Sequence, residues 1–414
     1  MMAGVSFPSK SMLVLCLASR VFSALDTTSQ MAPFMAYLEE HGRNYKYGSA
    51  EFEERFNIFR SRMKEVDAQN KQQPRLWIAG INEFSDRTEA ELEKLRGWHG
   101  VAHTADSSNQ QQETASSLLE EQALPPDTWM KWSRLSSLRQ APNQKSCGSC
   151  WAVASSTVLQ AHSEIYNGYA QSRTFSTQEL VDCVADPYKC GGDGGCGGAT
   201  VELAYHYVLH RGLSTSEAVP YQARTGACRG AGQGGLVRKH NSLVSTQEEI
   251  GFGGESLNSI TKPGIHFGQP GSPGLALGMR AWERLPENNY YALMRAVSDL
   301  GPVAVSVAAK DWMDYKSGVF NGCPRNAVID HAVTLVGYGN QQIGRKYWVV
   351  QNSWGPSWGE DGGKIRLLRQ DNDDSQCGVD TRPEVGTGCK GGPKNVTVCG
   401  HCGILYDSVV PHFK

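Results

Sequence analysis

The chain has 414 residues, 40% of them hydrophobic and 20% charged, so it holds enough apolar side chains for a core and is not a disordered chain. The 40 Lys and Arg residues against 42 Asp and Glu residues give a formal charge of -2. This balance offers no electrostatic reason to expect nucleic acid or an anionic membrane as a partner. Twelve cysteines in a chain with an apolar N-terminal run indicate an oxidising compartment.

The N-terminal segment has the pattern of a secretory signal. Lys10 precedes an apolar run at 12–18, and the small residues Ser23 and Ala24 follow. This pattern predicts a signal peptide over 1–24 and entry into the secretory pathway, with a lysosome, a vacuole or the extracellular space as the destination. The alternative is an internal start codon followed by a buried helix. No later stretch reaches the ~18–20 apolar residues of a membrane helix, so we expect no membrane association after signal removal.

Residues 30–97 are charged, contain no cysteine and are predicted to be helical, with a segment of strand and turn character at 80–86. Residues 98–123 are polar and are predicted to form a flexible, protease-sensitive linker. Six residues of the first region recur every three or four positions and predict one face of a long helix: Glu51, Arg55, Phe59, Arg62, Val66 and Asn70. From periodicity alone, an ordinary amphipathic helix is the simpler interpretation.

The stretch around Cys150 carries the first chemical signal. Apolar residues at helical spacing from Ala154 to Ile165 predict a buried helix over 151–166 that ends at Asn167-Gly168. Cys150 would lie at its N-terminus, where unpaired N–H groups and the helix dipole favour a thiolate, the form that a nucleophilic cysteine requires. A disulfide is an equally good interpretation of Cys150 from this position.

A candidate general base lies much later in the chain. Residues 330–338 and 346–352 are predicted to form the two strands of a hairpin, which places His331 about opposite Asn352. Cross-strand Cβ atoms are ~5 Å apart, so the imidazole and the carboxamide could hydrogen-bond. A histidine held in this way is oriented to exchange a proton at its other nitrogen. The alternative is a half-buried structural histidine.

Three motifs in this order resemble those of the papain-like cysteine proteases: Gln144-x-x-Cys147-x-x-Cys150-Trp151, Asp330-His331-Ala332 and Gln351-Asn352-Ser353-Trp354-Gly355. The resemblance implies an α+β fold of two subdomains, with a helical left half and an antiparallel, β-barrel-like right half, preceded by a helical propeptide. It implies a cysteine endopeptidase that hydrolyses peptide bonds through a thioester and needs no metal or organic cofactor. A non-catalytic relative is the alternative, but such relatives typically lose residues that are present here.

The resemblance also assigns roles within the site. It implies that Cys150 is the nucleophile, His331 its general base and acid, and Asn352 the residue that orients the histidine. Trp354 would shield that hydrogen bond and border the substrate, while Gln144 and the backbone N–H of Cys150 would form the oxyanion hole. Four residues would surround the pocket for the substrate residue two before the cut: Thr200, Val201, Ala332 and Asp407. An acid at the floor of that pocket would admit arginine.

Residues 30–97 also resemble the inhibitory propeptide of this family, although Arg62 departs from its usual asparagine. The resemblance implies that this segment docks on a peptidase domain at 124–414 and runs through its cleft in the non-productive direction. It also implies that maturation cuts within 98–123. The expected partners are therefore protein or peptide substrates and the chain's own propeptide, with the enzyme a monomer. Activation at acidic pH is a hypothesis.

The chain departs from the family pattern at several places. Lys145 and Ala199 stand where the family usually has glycine. Residues 229–285 form an insertion that we expect to be disordered or to bind a partner. The insertion lacks the adjacent histidines and the disulfide of the loop that makes cathepsin B a dipeptide-removing enzyme, which favours endopeptidase activity. Asn395 begins an Asn-x-Thr sequence and is a candidate glycosylation site.

The resemblance implies three disulfides: Cys147–Cys196, Cys183–Cys228 and Cys323–Cys402. Four cysteines remain without a family counterpart: Cys190, Cys377, Cys389 and Cys399. Two further disulfides would use all four, but the sequence does not assign their pairing. A zinc site in 377–402 is an alternative, which the secretory context disfavours.

Overall fold

The structure, a computed structural model, describes residues 31–97, 125–168, 173–228, 260–341 and 344–413. The predicted signal peptide and almost all of the predicted linker lie outside these ranges. So do residues 229–259 of the predicted insertion. Across the described ranges, no helix combines the length and the hydropathy that a bilayer crossing requires.

The N-terminal unit, residues 31–97, packs around a cluster of aromatic rings. Helix α1 runs through 31–40, α2 is Ala50–Lys71, strand β1 is Trp77–Ala79 and α3 is Glu89–Glu93. The rings that α2 buries are one turn apart along it and meet Phe34 of α1: Phe52, Phe56 and Phe59. The long helix is therefore present, while the strand precedes the 80–86 segment in which strand character was expected.

A buried carboxylate joins the ends of the N-terminal unit. Asp86 is fully buried and accepts hydrogen bonds from the Tyr37 hydroxyl at 2.9 Å, Arg43 Nε at 2.9 Å and the Tyr45 hydroxyl at 2.8 Å. Arg55 of α2 donates to the Asp86 carbonyl at 3.1 Å. These bonds tie the turn after β1 to α1, α2 and the loop between them.

Replacing Asp86 with alanine should destabilise the N-terminal unit by about 3–5 kcal/mol, because Arg43 would be left without its buried charge partner. Limited proteolysis of the full chain should then cut within residues 31–97 well before it cuts within residues 125–413. Asp67→Ala is the matched control, since its ion pair with Lys71 is exposed on α2 and is worth at most about 0.5 kcal/mol. Equal protection of the two variants would contradict this prediction.

Three helices form the helical half of the protein. They are α4, Cys150–Asn167; α5, Thr177–Cys183; and α6, Val201–Arg211. Helix α4 agrees with the predicted 151–166 within one residue at each end and stops at Gly168, whose φ is 80°. It is buried along most of its length because it packs against α5 and α6 on one side and against the sheet on the other. One short helix, α7 at Tyr290–Arg295, lies in the second half of the chain.

A nine-stranded sheet forms the sheet half, in the order β1-β5-β8-β7-β6-β4-β11-β3-β2. The strands after β1 are β2 Gly264–Phe267, β3 Met279–Arg284, β4 Val303–Val307, β5 Tyr315–Phe320, β6 His331–Asn340, β7 Lys346–Gln351, β8 Lys364–Arg369 and β11 Asp407–Phe413. The predicted α+β fold is confirmed. The sheet is not purely antiparallel, because β5 and β8 run parallel, and its first strand comes from the N-terminal unit.

The described part of the predicted insertion belongs to the sheet. Strand β3 pairs with β11, and β2 pairs with β3. Met279 and Trp282 of β3 are fully buried in the core next to α6, so burial of apolar side chains holds this segment in place. The expectation of disorder is therefore wrong for residues 260–285.

A second, two-stranded sheet projects from the sheet half. Strands β9, Cys377–Asp380, and β10, Val396–Cys399, pair with Cys377 directly opposite Cys399, and a disulfide joins these two residues. We call the connection between them, residues 381–395, the strap. Asn395 lies at its end and is exposed, as a glycosylated residue must be.

Five disulfides use every described cysteine except Cys150. Cys147–Cys196, Cys183–Cys228 and Cys323–Cys402 are bonded as the resemblance implies. Cys190 is bonded to Cys389 and Cys377 to Cys399, which resolves the pairing that the sequence left open. The zinc alternative for 377–402 has no thiolate to use, because all four of its sulfurs are in disulfides.

Candidate active site

Cys150 is the free cysteine of the described residues and the first residue of α4. The loop that leads to it is held by the Cys147–Cys196 disulfide, and Cys150 itself is 4% exposed. Lys145 adopts a left-handed conformation with a φ of 54°, which explains why glycine is the usual residue at this position. Because Cys150 is free while the other described cysteines are paired, the disulfide interpretation of Cys150 is excluded.

His331 and Asn352 meet through their side chains. His331 is the first residue of β6, and its Nε2 lies 2.8 Å from Oδ1 of Asn352, directly after β7. The prediction placed the two residues about opposite each other, and the observed strand pairing offsets them. Thr334 pairs with Gln351, with a bulge at Val336, so the register differs from the predicted one by two residues. The hydrogen bond forms across this offset.

Trp354 covers this hydrogen bond. Its ring is fully buried, and its centroid lies 5.1 Å from that of His331. The indole Nε1 donates to the carbonyl of Leu95 in the N-terminal unit at 3.1 Å. Trp354 therefore packs against His331 and also joins the site to the N-terminal unit.

Gln144 is held from both ends of its amide. It is fully buried, its Nε2 donates to the Cys147 carbonyl at 2.9 Å, and its Oε1 accepts from Ser353 Oγ. One amide hydrogen is used by Cys147, so the second is the donor that remains for an oxyanion.

One pocket contains Cys150 and His331 together with most of the residues expected around the substrate. Thr200, Val201 and Ala332 line it, and so does Ala199. The structure therefore brings together residues from α4, the start of α6 and β6, as a cleft between a helical and a sheet half requires.

Asp407 does not line this pocket, which corrects the prediction that it forms an acidic floor. It is 3% exposed, and its carboxylate accepts from Arg284 Nε at 3.0 Å and from Ser306 Oγ at 2.6 Å. Ser306 lines the pocket in its place. Arg284 lies in β3, within the residues predicted to form an insertion, and its Nε is also 3.1 Å from Oε1 of Glu202. No signal in the sequence pointed to this cation.

Because Asp407 lies outside the pocket and is bound by Arg284, the pocket should reject arginine. We expect kcat/KM for peptides with arginine two residues before the cut to be at least about tenfold below that for leucine. Combining Arg284→Gln with Glu202→Gln frees Asp407 and should reduce this difference, and adding Asp407→Asn should restore it. Cleavage of matched peptides by the processed protein checks this prediction, and a preference for arginine in the unsubstituted enzyme would refute it.

Residues Leu95–Gly97 of the N-terminal unit cross the site, although the sequence did not indicate which residues of this unit would do so. Gly97 has a φ of 93°, and a Cβ atom placed on it would lie 2.7 Å from Sγ of Cys150. Arg96 Nε is 3.0 Å from Oδ2 of Asp330, the residue before His331. Gly97 is the sequence feature that could have indicated this crossing, because only a residue without a side chain lets the backbone lie this close to the sulfur.

Burial under this segment favours the uncharged forms of both reactive groups. It raises the pKa of the Cys150 thiol to about 11. It also lowers the pKa of His331 to about 4, with the nearby charge of Arg96 adding to the effect and the Asn352 hydrogen bond opposing it. At neutral pH the covered site therefore holds a thiol and a neutral imidazole rather than the ion pair expected of an active enzyme.

The thiol of the full chain should accordingly alkylate slowly. Because thiolate is the reactive form, the rate with iodoacetamide should rise about tenfold per pH unit from neutrality toward the raised pKa of Cys150. After residues 31–97 are removed, the rate should become fast and lose this slope. The alkylation rate is measured at each pH by quenching the reaction at fixed times, with Cys150→Ala as the blank. Identical pH profiles before and after removal would contradict the prediction.

Comparison with known families gives two matches. The model described as papain family cysteine protease matches residues 126–261 and 270–387. The model described as cathepsin propeptide inhibitor domain (I29) matches residues 34–92, inside the N-terminal unit.

Individual relatives agree with these matches. Fruit bromelain of Ananas comosus is 28% identical over 85% of each chain, and chymopapain of Carica papaya is 29% identical over 78% of each chain. The structure of a recombinant stem bromelain precursor has a TM-score of 0.64 at 26% identity and covers 93% of this chain and 99% of its own. A digestive procathepsin L2 of Tenebrio molitor, with a TM-score of 0.63 and 24% identity over 93% of this chain and 100% of its own, shares the fold.

Proposed function

Because this chain belongs to the papain family of cysteine proteases, we propose that it is a cysteine endopeptidase made as an inactive zymogen in the secretory pathway. Its expected destination is a lysosome, a vacuole or the extracellular space. The observation that carries the proposal is the free Cys150 in one pocket with His331, which Asn352 holds at 2.8 Å. The enzyme acts as a monomer on protein or peptide substrates and needs no cofactor.

The reaction begins at the sulfur. Once the site is uncovered, His331 takes the proton of Cys150, and the thiolate attacks the carbonyl carbon of the peptide bond. The tetrahedral oxyanion accepts hydrogen bonds from the backbone N–H of Cys150 and the amide of Gln144, each worth about 3–4 kcal/mol in the transition state. His331 then protonates the leaving amine, and a water molecule that His331 deprotonates cleaves the thioester.

Asn352 acts by fixing the proton on His331. When Nε2 carries the hydrogen, it donates to Asn352 Oδ1, which also accepts from the Ser353 N–H at 2.8 Å. Nδ1 of His331 has no hydrogen-bond partner among the described residues and is left to exchange a proton with Cys150. The carboxamide thus sets the tautomer without adding a charge.

The N-terminal unit is the proposed inhibitor. Strand β1 pairs with β5, Asn82 Nδ2 donates to the Met313 carbonyl at 2.7 Å, and Arg62 lies 3.3 Å from Asp314. With Leu95–Gly97 over the sulfur, these contacts block the substrate. A cut within residues 98–123 would separate the inhibitor from the peptidase domain at 124–414.

Mild acid should leave the interior of the inhibitor intact. Burial opposes ionisation of Glu91, but hydrogen bonds from Arg55 and Thr88 outweigh it and lower its pKa from 4.5 to about 2. A carboxylate whose pKa is lowered on folding stabilises the fold at pH values above its ordinary pKa. This stabilisation is lost as the pH falls through the lowered pKa. The bond from Arg55 to Glu91 therefore survives mild acid.

The test is to incubate the full chain at about pH 4 and about pH 8 and to sequence the N-terminus of the products, since carboxylate contacts lose charge only in acid. A denatured protein is then added, and its fragments are identified by mass spectrometry. Internal cuts that require Cys150 support the proposal. Absence of any cut by correctly processed protein would refute it, and equal processing at both pH values would remove acid activation alone.

A further inference from the structure

We infer that the strap, residues 381–395, closes the substrate cleft next to the pocket, so that the enzyme binds two substrate residues on the N-terminal side of the cut and excludes a third. The inference rests on the proposed function and specifies which part of a peptide the enzyme recognises. It uses the two disulfides for which the family pattern offered no place.

The strap is fixed on both sides of the cleft. At its base, the Cys377–Cys399 disulfide joins β9 to β10, and Asp380 Oδ2 accepts from the Ile329 N–H at 3.0 Å in the sheet half. Near its tip, Cys389 is bonded to Cys190, in the loop between α5 and α6 of the helical half.

Backbone hydrogen bonds support this covalent attachment on the helical side. The Gly191 N–H donates to the Gly388 carbonyl at 3.0 Å, and the Lys390 N–H donates to the Tyr188 carbonyl at 2.9 Å. Together with the disulfide they hold three successive positions of the strap. The strap is therefore a fixed bridge between the halves rather than a loop that substrate could push aside.

Gly386 is the point at which the strap crosses the cleft. A Cβ atom on Gly191 of the helical wall would lie 2.5 Å from the Gly386 carbonyl oxygen. A Cβ atom on Gly386 would overlap the Ile329 carbonyl oxygen and come within 3.2 Å of Asp330 Cα on the sheet wall. Backbone therefore fills the gap from wall to wall, and no space for an extended peptide remains between these residues.

The crossing point adjoins the reactive centre. Val385 and Gly386 line the same pocket as Cys150, Thr200 and Val201. If this pocket holds the substrate residue two before the cut, the next residue toward the substrate's N-terminus meets the strap. That residue and all before it must leave the cleft, so they contribute no contacts and no binding energy there.

The substrates that fit this cleft are recognised through the two residues before the cut. These two residues lie at the N-terminal end of the substrate or directly follow a turn that leads the preceding residues out of the cleft. A long extended segment would have to bend at the strap, which costs conformational freedom without a compensating contact.

The inference is tested with acyl-dipeptide, acyl-tripeptide and acyl-tetrapeptide amides that share the two residues before a fluorogenic leaving group. For the processed enzyme we expect kcat/KM to stay within about twofold across the three, since the added residues gain no contacts. The Cys190→Ser/Cys389→Ser variant should raise kcat/KM for the tetrapeptide about tenfold or more and leave the dipeptide within about threefold.

Two further variants guard the interpretation. Cys183→Ser/Cys228→Ser also removes one disulfide of the helical half but leaves the strap attached, and it should keep the unsubstituted substrate profile. Should the first variant fail to fold, replacing residues 383–392 by a short Gly-Ser turn together with Cys190→Ser removes the crossing directly. The same gain for the tetrapeptide is then expected.

A progressive rise in kcat/KM from dipeptide to tetrapeptide in the unsubstituted enzyme would overturn the inference, as would an unchanged profile after the strap is released. Failure of the proposed function gives a different result. In that case no peptide is cut by any variant, and iodoacetamide labelling of processed protein does not depend on Cys150.

Discussion

Replacing Cys150 with alanine should reduce kcat/KM of the processed enzyme for peptide substrates by about 10⁵-fold or more, because removing one member of a nucleophile–base pair costs nearly as much as removing both. No other thiol is available, since the remaining described cysteines are bonded in pairs. Alanine also leaves the helix N-terminus and the pocket intact. The measurement is steady-state hydrolysis of a fluorogenic peptide by protein processed with an added protease.

The control for this prediction is His331→Ala, which removes the base and keeps the thiol. Its loss should be of similar size, and the two changes together should add little more, as expected for groups that act as a unit. Thermal unfolding of both variants should match that of the unsubstituted chain. Retention of more than about one percent of the activity by Cys150→Ala would refute the assignment, since such a loss is too small for a covalent nucleophile.

Replacing Gly97 with alanine should abolish the latency of the zymogen. Its Cβ would lie 2.7 Å from the Cys150 sulfur, closer than any real contact, and a φ of 93° is unfavourable for a residue with a side chain. The contact and the backbone strain together favour lifting of this segment from the site, and Trp354 would then lose its hydrogen bond to Leu95. We expect the unprocessed chain to be alkylated at Cys150 at least about tenfold faster than the unsubstituted zymogen.

Gly42→Ala separates the clash from the backbone strain. Gly42 lies in the same N-terminal unit with a φ of 60°, but nothing lies within 4 Å of a Cβ atom placed there. This variant should lose some stability of the inhibitor and keep the slow alkylation rate. Equal rates for the two variants would show that strain, rather than contact with the sulfur, controls latency.

The sequence predicted the parts of the site that depend on local chemistry. Helix α4 follows from apolar residues at helical spacing, and its bounds came out within one residue. The approach of His331 to Asn352 followed from a strand–turn–strand pattern. The register was wrong because the turn lies later in the chain than predicted, with Asn340 paired to Lys346. The bulge at Val336, which packing across the sheet decides, brings the pairing near His331 one residue closer to the predicted register.

Long-range electrostatic partners could not be predicted. The role of Asp407 was wrong because Arg284 lies 123 residues earlier, within the residues predicted to form an insertion. The pairing of Cys190 with Cys389 spans 199 residues and is one of several connectivities that the cysteine count allows. Both features depend on which strands the chain brings together rather than on the residues beside them.

The pairing of β1 with β5 has a consequence for the protein after maturation. Strand β5 lies between β1 and β8, so removal of residues 31–97 turns it into an outer strand of the sheet. Outer strands with free N–H and C=O groups invite other chains to add to them, which is a route to aggregation. Exposed Lys316, the second residue of β5, opposes such association by its charge. While residues 31–97 remain attached, β1 covers this edge of the sheet.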